Sequence, residues 1–195
     1  MKEKILWMDC ETGGLFPGTH SLLTIAMAIT DSELNIIKEH EWKIKSTDYR
    51  ISAYALKVNN IDLVKHNEEA QEPYEVISEI QEFIKEGFDE GEDCLIGGHN
   101  VKFDIDFLSN LFRENKVKMS GALVHRHRQI DTCNLLRVLH HIGVLNEPVF
   151  KLQEALSYFG IDSPIEMQHV AIGDVRSNIK LYAKLKDLIL GGRNV

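Results

Sequence analysis

The length, composition and charge of the chain narrow the kinds of protein it can be. Its 195 residues are 44% apolar and 27% charged, so we expect one ordinary globular domain over residues 1–195. The sequence contains no run of about eighteen apolar residues, which is the length needed to span a membrane. The formal net charge of −8 argues against a protein that binds long nucleic-acid duplexes through a broad basic surface. It is compatible with a site that binds one end of a nucleic-acid strand through metal ions.

The N-terminal stretch MKEKILWMDCE lacks the apolar region and the cleavage site of a secretory signal, so we expect a cytoplasmic protein with no membrane partner. The three cysteines, Cys10, Cys94 and Cys133, are odd in number and far apart. This favours reduced thiols over a disulfide framework or a zinc site.

A short apolar run, Ile5 to Met8, predicts a buried first strand that ends in two acids. If the strand continues, Asp9 and Glu11 lie on one face and Cys10 on the other. Repulsion between the two carboxylates is relieved by protonation or by a cation, and hard divalent cations prefer oxygen ligands. A metal site is the first hypothesis, although such an acid pair is more often structural when it stands alone.

The following segments predict an α/β domain. Leu22 to Thr30 and Leu34 to Lys45 are typical of two further strands, which with the first would form an antiparallel meander. Residues 46–74 are irregular, and a helix is predicted around Val76 to Ile84. Later elements are a short buried strand at 94–98, a helix at 106–115, a strand running into a helix at 129–136, and helices at 152–160 and 174–190. This order predicts a mixed central sheet, with the meander first and parallel strands after it, and helices on both faces.

Asp104 and Asp106 compete for a second site position. If a helix runs from about Phe103, Asp104 shares the buried stripe with Leu108 and Leu111, whereas Asp106 aligns with polar residues and faces water. The alternative for Asp104 is an acid that only stabilises a helix start through the helix dipole.

His169 and Asp174 form a third candidate, five residues apart. Asp174 is predicted to begin the last helix, where an acid can be a plain cap, and His169 precedes it in a loop, where a histidine is often structural. Taken together, three separated segments each end a buried element with a carboxylate, and one adds an imidazole suited to proton transfer. These are the components of a two-metal phosphodiesterase, in which two cations about 4 Å apart flank the scissile phosphate.

Three motifs carry a resemblance to a known family. They are DCETG at residues 9–13, HNVKFD at 99–104, which fits H-N-x-x-F-D, and HVAIGD at 169–174, which fits H-x-x-x-x-D. In this order, and over nearly the whole chain, the sequence resembles the DEDDh exonucleases of the DnaQ-like family. That family belongs to the ribonuclease H-like superfamily and includes polymerase proofreading subunits and ribonuclease T. The segment ALKVNNID at residues 55–62 also resembles the family's segment between the meander and the first helix, although Asn59-Asn60 departs from the family's usual His-Gly or Asn-Gly. Val175, which follows the last acid, stands where Ala is frequent in the family.

The resemblance implies a ribonuclease H-like three-layer fold and a set of site residues. Asp9, Glu11, Asp104 and Asp174 would hold two Mg²⁺ or Mn²⁺ ions, and His169 would be the general base. For substrate binding, it implies that the backbone of Thr12 and Gly13 contacts the terminal 3′-hydroxyl and that Leu15 wedges against the terminal bases. Asn100 and Phe103 would line the site at the second motif. The alternatives are that Leu15 and Phe103 are core residues and that Asn100 is a helix cap.

The function implied is a metal-dependent 3′ to 5′ exonuclease that releases nucleoside 5′-monophosphates from a single-stranded end, with DNA favoured over RNA. A DNA polymerase is a candidate partner, in a proofreading role. Two alternatives stay open: a ribonuclease that trims RNA 3′ ends, and a non-catalytic module that binds nucleic acid beside a polymerase.

Overall fold

The computed structural model describes residues 3–59, 61–89, 92, 94–164 and 170–191. The strands are β1 (Lys4–Thr12), β2 (Leu22–Thr30), β3 (Ile36–Lys43), β4 (Cys94–Gly98) and β5 (Gln129–Asp131). The helices are α1 (Ala53–Asn59), α2 (Leu63–Glu69), α3 (Pro73–Gly87), α4 (Lys102–Glu114), α5 (Thr132–His141), α6 (Leu152–Tyr158) and α7 (Ala171–Gly191), with a 3₁₀ helix at Gly121–His125. Among these described helices, none has both the length and the apolar character needed to cross a bilayer.

The strands form one mixed sheet in the order β3-β2-β1-β4-β5. β1 pairs antiparallel with β2, and β2 pairs antiparallel with β3, whereas β1 with β4 and β4 with β5 are parallel. The predicted meander followed by parallel strands is therefore confirmed. β1 occupies the centre, which suits its nearly unbroken apolar start.

Different helices cover the two faces of the sheet. Leu6 and Met8 of β1 pack with the buried side chains of α3 and α4, whereas Ile5 and Trp7 face α7. The predicted helices on both faces are confirmed. Because side chains alternate along a strand, the two acids that continue the series of Trp7 also lie on the α7 face.

The helices α5 and α6 pack on α7 through a second apolar cluster. Its buried members are Leu136, Leu139, Leu145, Leu152, Ala155, Leu156, Leu181 and Leu185. This cluster holds α6 against the long last helix through Leu181 and Leu185 of α7, and a polar side chain on α6 reaches the residues near the start of α7.

The last helix begins earlier than predicted. α7 starts at Ala171, and the backbone N–H of Asp174 donates to the carbonyl of Val170 at 3.0 Å. The prediction that Asp174 begins the helix is wrong, because the apolar face of α7 already starts with the buried Ala171. Asp174 lies in the first turn, so the cap alternative does not describe it.

The helix predicted at 106–115 is α4, which starts at Lys102, and two other predicted boundaries also differ from the structure. The irregular region 46–74 contains α1 and α2, and the Asp62 side chain caps α2 by accepting two backbone N–H groups. The third strand starts at Ile36 rather than Leu34, because Leu34 has a φ of 68° in a turn whose backbone donates to Asp31. These two differences arise from local hydrogen bonds, which the periodicity of apolar residues does not reveal.

Candidate active site

Three carboxylates converge where β1 meets the start of α7. One oxygen each of Asp9, Glu11 and Asp174 lies within 4.8 Å of the others. Strand alternation places the first two on the α7 face, and burial of Ala171 and Val175 against the sheet sets the side of α7 that approaches them. The structure thus brings together three of the four acids that the sequence predicts.

Asp104, the fourth acid, lies in the first turn of α4 and is only 3% exposed. It is outside the close group of three, but its charge raises the pKa of both Asp9 and Glu11, so it is within electrostatic reach of them. Asp106 is partly exposed and bonds Lys102 at 2.6 Å. The predicted difference in burial between the two acids of α4 is confirmed.

Burial and mutual repulsion raise the pKa values of the acids. Burial is the largest cause at Asp9, whose pKa lies well above its usual value, and the charges of Asp104 and Asp174 add to it. Burial, followed by the same two charges, raises the pKa of Glu11 to about 9. Burial also raises the pKa of Asp104 to about 8, although hydrogen bonds from Cys10 oppose the shift. Without a cation, the site therefore retains protons at neutral pH.

This donor set fits a hard divalent cation. Its ligand atoms are carboxylate oxygens, which suit Mg²⁺ and Mn²⁺ better than softer metals. A bound cation would take the place of the retained protons and relieve the repulsion between the carboxylates. The geometry and the electrostatics of the acid cluster thus both support a site for a divalent metal ion.

Two acids of β3 hold the start of α7, and sequence reasoning missed both. Glu41 accepts the backbone N–H of Ile172 at 2.9 Å, and Glu39 forms an ion pair with Arg176 in which Nε donates at 2.9 Å. Their spacing of two residues was the available signal, since it places both on one face of the strand. Nothing in the sequence identified α7 as the element they meet.

Gln153 of α6 also escaped the sequence analysis. Its amide Nε2 donates to Oδ1 of Asp174 at 3.0 Å. An amide group in an amphipathic helix carries no signal of such a contact, so only the packing of α6 on α7 reveals it.

A buried polar network connects the second motif to α7. The Thr132 hydroxyl lies 3.0 Å from Nδ1 of His99 and 2.6 Å from Oδ1 of Asn178. Nε2 of His99 lies 2.9 Å from the carbonyl of Phe150 and must donate to it, because a carbonyl only accepts. Burial lowers the pKa of His99, which favours the neutral ring. The network fixes α7 one turn beyond Asp174.

The end of β1 and the loop that follows it carry three of the predicted substrate-binding residues. The carbonyl of Thr12 accepts from Asn59 at 2.8 Å, and the N–H of Gly13 donates to the carbonyl of Ser21 at 2.7 Å. A Cβ at Gly13 would lie 2.3 Å from the carbonyl oxygen of Arg50, so only glycine fits there. Leu15 is 67% exposed, so the core alternative is wrong for it. The contacts of these residues with a strand end stay predictions.

The other two predicted substrate-binding residues flank the start of α4. Asn100 has a φ of 61°, and its backbone N–H donates to Asp131 at 3.0 Å. Its side chain makes no capping bond to α4, whose N-cap position is Val101, so the cap alternative is wrong. Phe103 is half-buried, and its ring lies 4.9 Å from that of Phe107. Phe103 therefore belongs partly to the core, and its role in binding stays a prediction.

His169, the predicted general base, lies outside the described residues. The nearest described residue is Val170, whose carbonyl accepts the N–H of Asp174. The role of His169 stays a prediction from the third motif.

Several known proteins with nuclease names are similar to this chain. The family model RNase_T, described as an exonuclease, matches residues 6–182. A probable oligoribonuclease of Schizosaccharomyces pombe is 26% identical, over 71% of this chain and 55% of its own length. Ribonuclease T of Shewanella denitrificans is 27% identical, over 91% of this chain and 78% of its own. The crystal structure of an E. coli ExoI–ssDNA complex has a TM-score of 0.80 at 23% identity, over 96% of this chain and 41% of that chain.

The likeness to ExoI confirms the expected ribonuclease H-like α/β fold. The chain spans 55% of the length of the yeast relative and 41% of the ExoI chain. Because the family model covers residues 6–182, the chain belongs to the RNase_T exonuclease family, within the DnaQ-like group of the ribonuclease H-like superfamily.

Proposed function

We propose that this protein is a metal-dependent 3′ to 5′ exonuclease that releases nucleoside 5′-monophosphates from single-stranded ends. The observation that carries the proposal is the convergence of Asp9, Glu11 and Asp174 within 4.8 Å, with the buried Asp104 in electrostatic reach. Family membership supports it independently.

In the proposed mechanism, Asp9, Glu11, Asp104 and Asp174 would hold two Mg²⁺ or Mn²⁺ ions. Such a pair would supply activation of the attacking water and stabilisation of the leaving oxygen in an in-line displacement. His169 accepts the proton of the attacking water, a role to which the imidazole side chain is suited. Water attacks the terminal phosphate and the bond from phosphorus to the 3′ oxygen of the preceding nucleotide breaks. That oxygen takes up a proton and becomes the new 3′-hydroxyl, and the terminal nucleotide leaves as a 5′-monophosphate.

The loop after β1 supports a single-stranded substrate. Leu15 and Phe16 are both more than half exposed, although the loop around them is anchored by hydrogen bonds from the backbone of Gly13 and from Arg50 to Gly18. Large apolar side chains held in place at the surface can stack on unpaired bases, which a paired end would not offer.

A second candidate substrate is short RNA. Two relatives with ribonuclease names, the probable oligoribonuclease and ribonuclease T, favour this candidate, whereas the ExoI complex contains single-stranded DNA. Discrimination between the sugars depends on contacts to the 2′-hydroxyl.

The experiment is a time course on matched 5′-labelled single-stranded DNA and RNA with Mg²⁺, with Mn²⁺ and with EDTA. We expect a ladder that shortens from the 3′ end and is abolished by EDTA, and the faster strand identifies the preferred sugar. If neither strand shortens in either metal while the protein still binds them, the non-catalytic alternative replaces the proposal.

A further inference from the structure

Gln153 approaches the acid cluster from outside it. The residue lies in α6, is partly buried, and its Nε2 donates to Oδ1 of Asp174 at 3.0 Å. The amide must present its NH₂ group here, because its carbonyl oxygen would repel the carboxylate. Gln153 thus offers a hydrogen-bond donor to a carboxylate that already faces Asp9 and Glu11.

The backbone around Gln153 is held firmly. Its neighbours Leu152, Ala155 and Leu156 are buried in the apolar cluster shared with α7. The segment before α6 is also fixed, because the carbonyl of Phe150 accepts from His99 at 2.9 Å. The amide is therefore presented from a packed helix, which is what precise orientation of a ligand requires.

The chemistry of the contact suits a metal ligand. A hydrogen bond to one carboxylate oxygen restricts rotation of the group and so sets the direction of the other oxygen. A neutral amide does this without adding charge, whereas a lysine or arginine in its place would compete with the cation for Asp174. Glu41 accepts from the backbone of α7 and Glu39 pairs with the side chain of Arg176, whereas Gln153 donates to the carboxylate of Asp174 itself.

We propose that Gln153 is a positioning residue that orients the carboxylate of Asp174 for divalent-metal binding. The inference rests on the proposed function only in assuming that the acid cluster binds a divalent ion. Loss of a hydrogen-bonding partner of a metal ligand typically weakens metal affinity or activity about 10- to 100-fold. Removal of the Gln153 amide should therefore weaken Mn²⁺ binding by about that factor and leave the fold intact.

The test compares wild type with Gln153→Met, which keeps the length of the side chain without the donor, and with Gln153→Ala. The control is Glu154→Gln on the same helix, which alters an exposed ion pair with Lys151. Calorimetric titration with Mn²⁺ gives the dissociation constant without turnover, and thermal unfolding in EDTA reports the fold. The metal concentration for half-maximal cleavage and the KM for the strand provide a second readout.

We expect both Gln153 variants to bind Mn²⁺ about 10- to 100-fold more weakly, with the melting temperature in EDTA close to that of wild type. Half-maximal cleavage should shift to higher metal concentration while KM changes little, and Glu154→Gln should match wild type. Wild-type Mn²⁺ affinity in a folded Gln153→Met or Gln153→Ala protein would overturn the inference. Failure of the wild-type protein itself to bind Mn²⁺ would instead contradict the proposed metal-dependent function.

Discussion

The carboxylate of Glu41 accepts the backbone N–H of Ile172 at 2.9 Å, across 131 residues of sequence. The first N–H groups of a helix have no partner within the helix, and a negative charge there is favourable to the helix dipole. The charge of Glu41 also raises the pKa of Asp9 and Glu11. One side chain of β3 therefore both caps the helix that carries Asp174 and adds to the repulsion in the acid cluster.

Substitution at Glu41 separates these two effects. Glu41→Gln keeps an acceptor for Ile172 and removes the charge, whereas Glu41→Ala removes both. We expect Glu41→Ala to be less stable than Glu41→Gln by about 1 kcal/mol, the usual cost of a lost cap. Urea unfolding in EDTA measures the difference. Equal stability of the two variants would show that the bond to Ile172 contributes nothing.

The raised pKa values predict an unusual dependence of stability on pH. An acid whose pKa is higher in the folded than in the unfolded state keeps its proton only when folded, so stability falls as pH rises towards the folded pKa. For Glu11, with a pKa of about 9, and Asp104, with a pKa of about 8, the loss extends through neutral pH. For each acid that keeps its proton only in the folded state, the free energy of unfolding falls by roughly 1 kcal/mol per pH unit.

Urea unfolding in EDTA between about pH 7 and pH 8.5 tests this dependence. We expect the free energy of unfolding to fall across this range, and to fall less in Glu11→Gln, which has one acid fewer. Saturating Mn²⁺ should remove most of the fall, because the cation takes the place of the protons. A free energy that rises with pH in EDTA would contradict the raised pKa values.

The two acids of α4 provide a matched pair of variants. Asp104 is buried within electrostatic reach of the cluster, whereas Asp106 is partly exposed and paired with Lys102. We expect Asp104→Asn to lower the cleavage rate by more than the roughly 10- to 100-fold that loss of a hydrogen-bonding partner of a metal ligand costs, and Asp106→Asn to remain close to wild type. Similar loss in both variants would indicate a general effect on α4 rather than a metal ligand.

Replacement of His169 should separate proton transfer from metal binding. Loss of a general base costs roughly 10²- to 10⁴-fold in rate, so His169→Ala should lose that much turnover while Mn²⁺ affinity is kept. Single-turnover cleavage and calorimetry on the same preparation give both quantities. Wild-type turnover in His169→Ala would assign the base to another group.

The faces on which Asp9, Glu11 and Asp104 lie could be predicted from periodicity, whereas the full ligand set, with Asp174, rests on the resemblance of the motifs to a known family. Asp9 and Glu11 follow the alternation of β1, and Asp104 follows the buried stripe of α4. Gln153 and Glu41 could not be predicted, because their contacts depend on how α6 and β3 pack against α7. Sequence patterns describe one element at a time, and these two residues act between elements distant in the chain.

The shorter elements were missed for a related reason. α1 and α2 have seven residues each and bury one side chain each, so they show little hydrophobic period. The N-cap Asp62 was the one local signal of α2. Asp174 has the residue type of a cap and so predicts a late start for α7, whereas burial of Ala171 extends the helix before it.

The most direct test of the central claim is cleavage of one 5′-labelled single-stranded oligonucleotide in Mn²⁺ by wild type and Asp9→Asn side by side. Asp9→Asn keeps the size of the side chain but removes a charged ligand from the group formed with Glu11 and Asp174. We expect wild type to produce a ladder that shortens from the 3′ end and Asp9→Asn to leave the strand intact. Digestion by Asp9→Asn at the wild-type rate would contradict the assignment of this cluster as the catalytic metal centre.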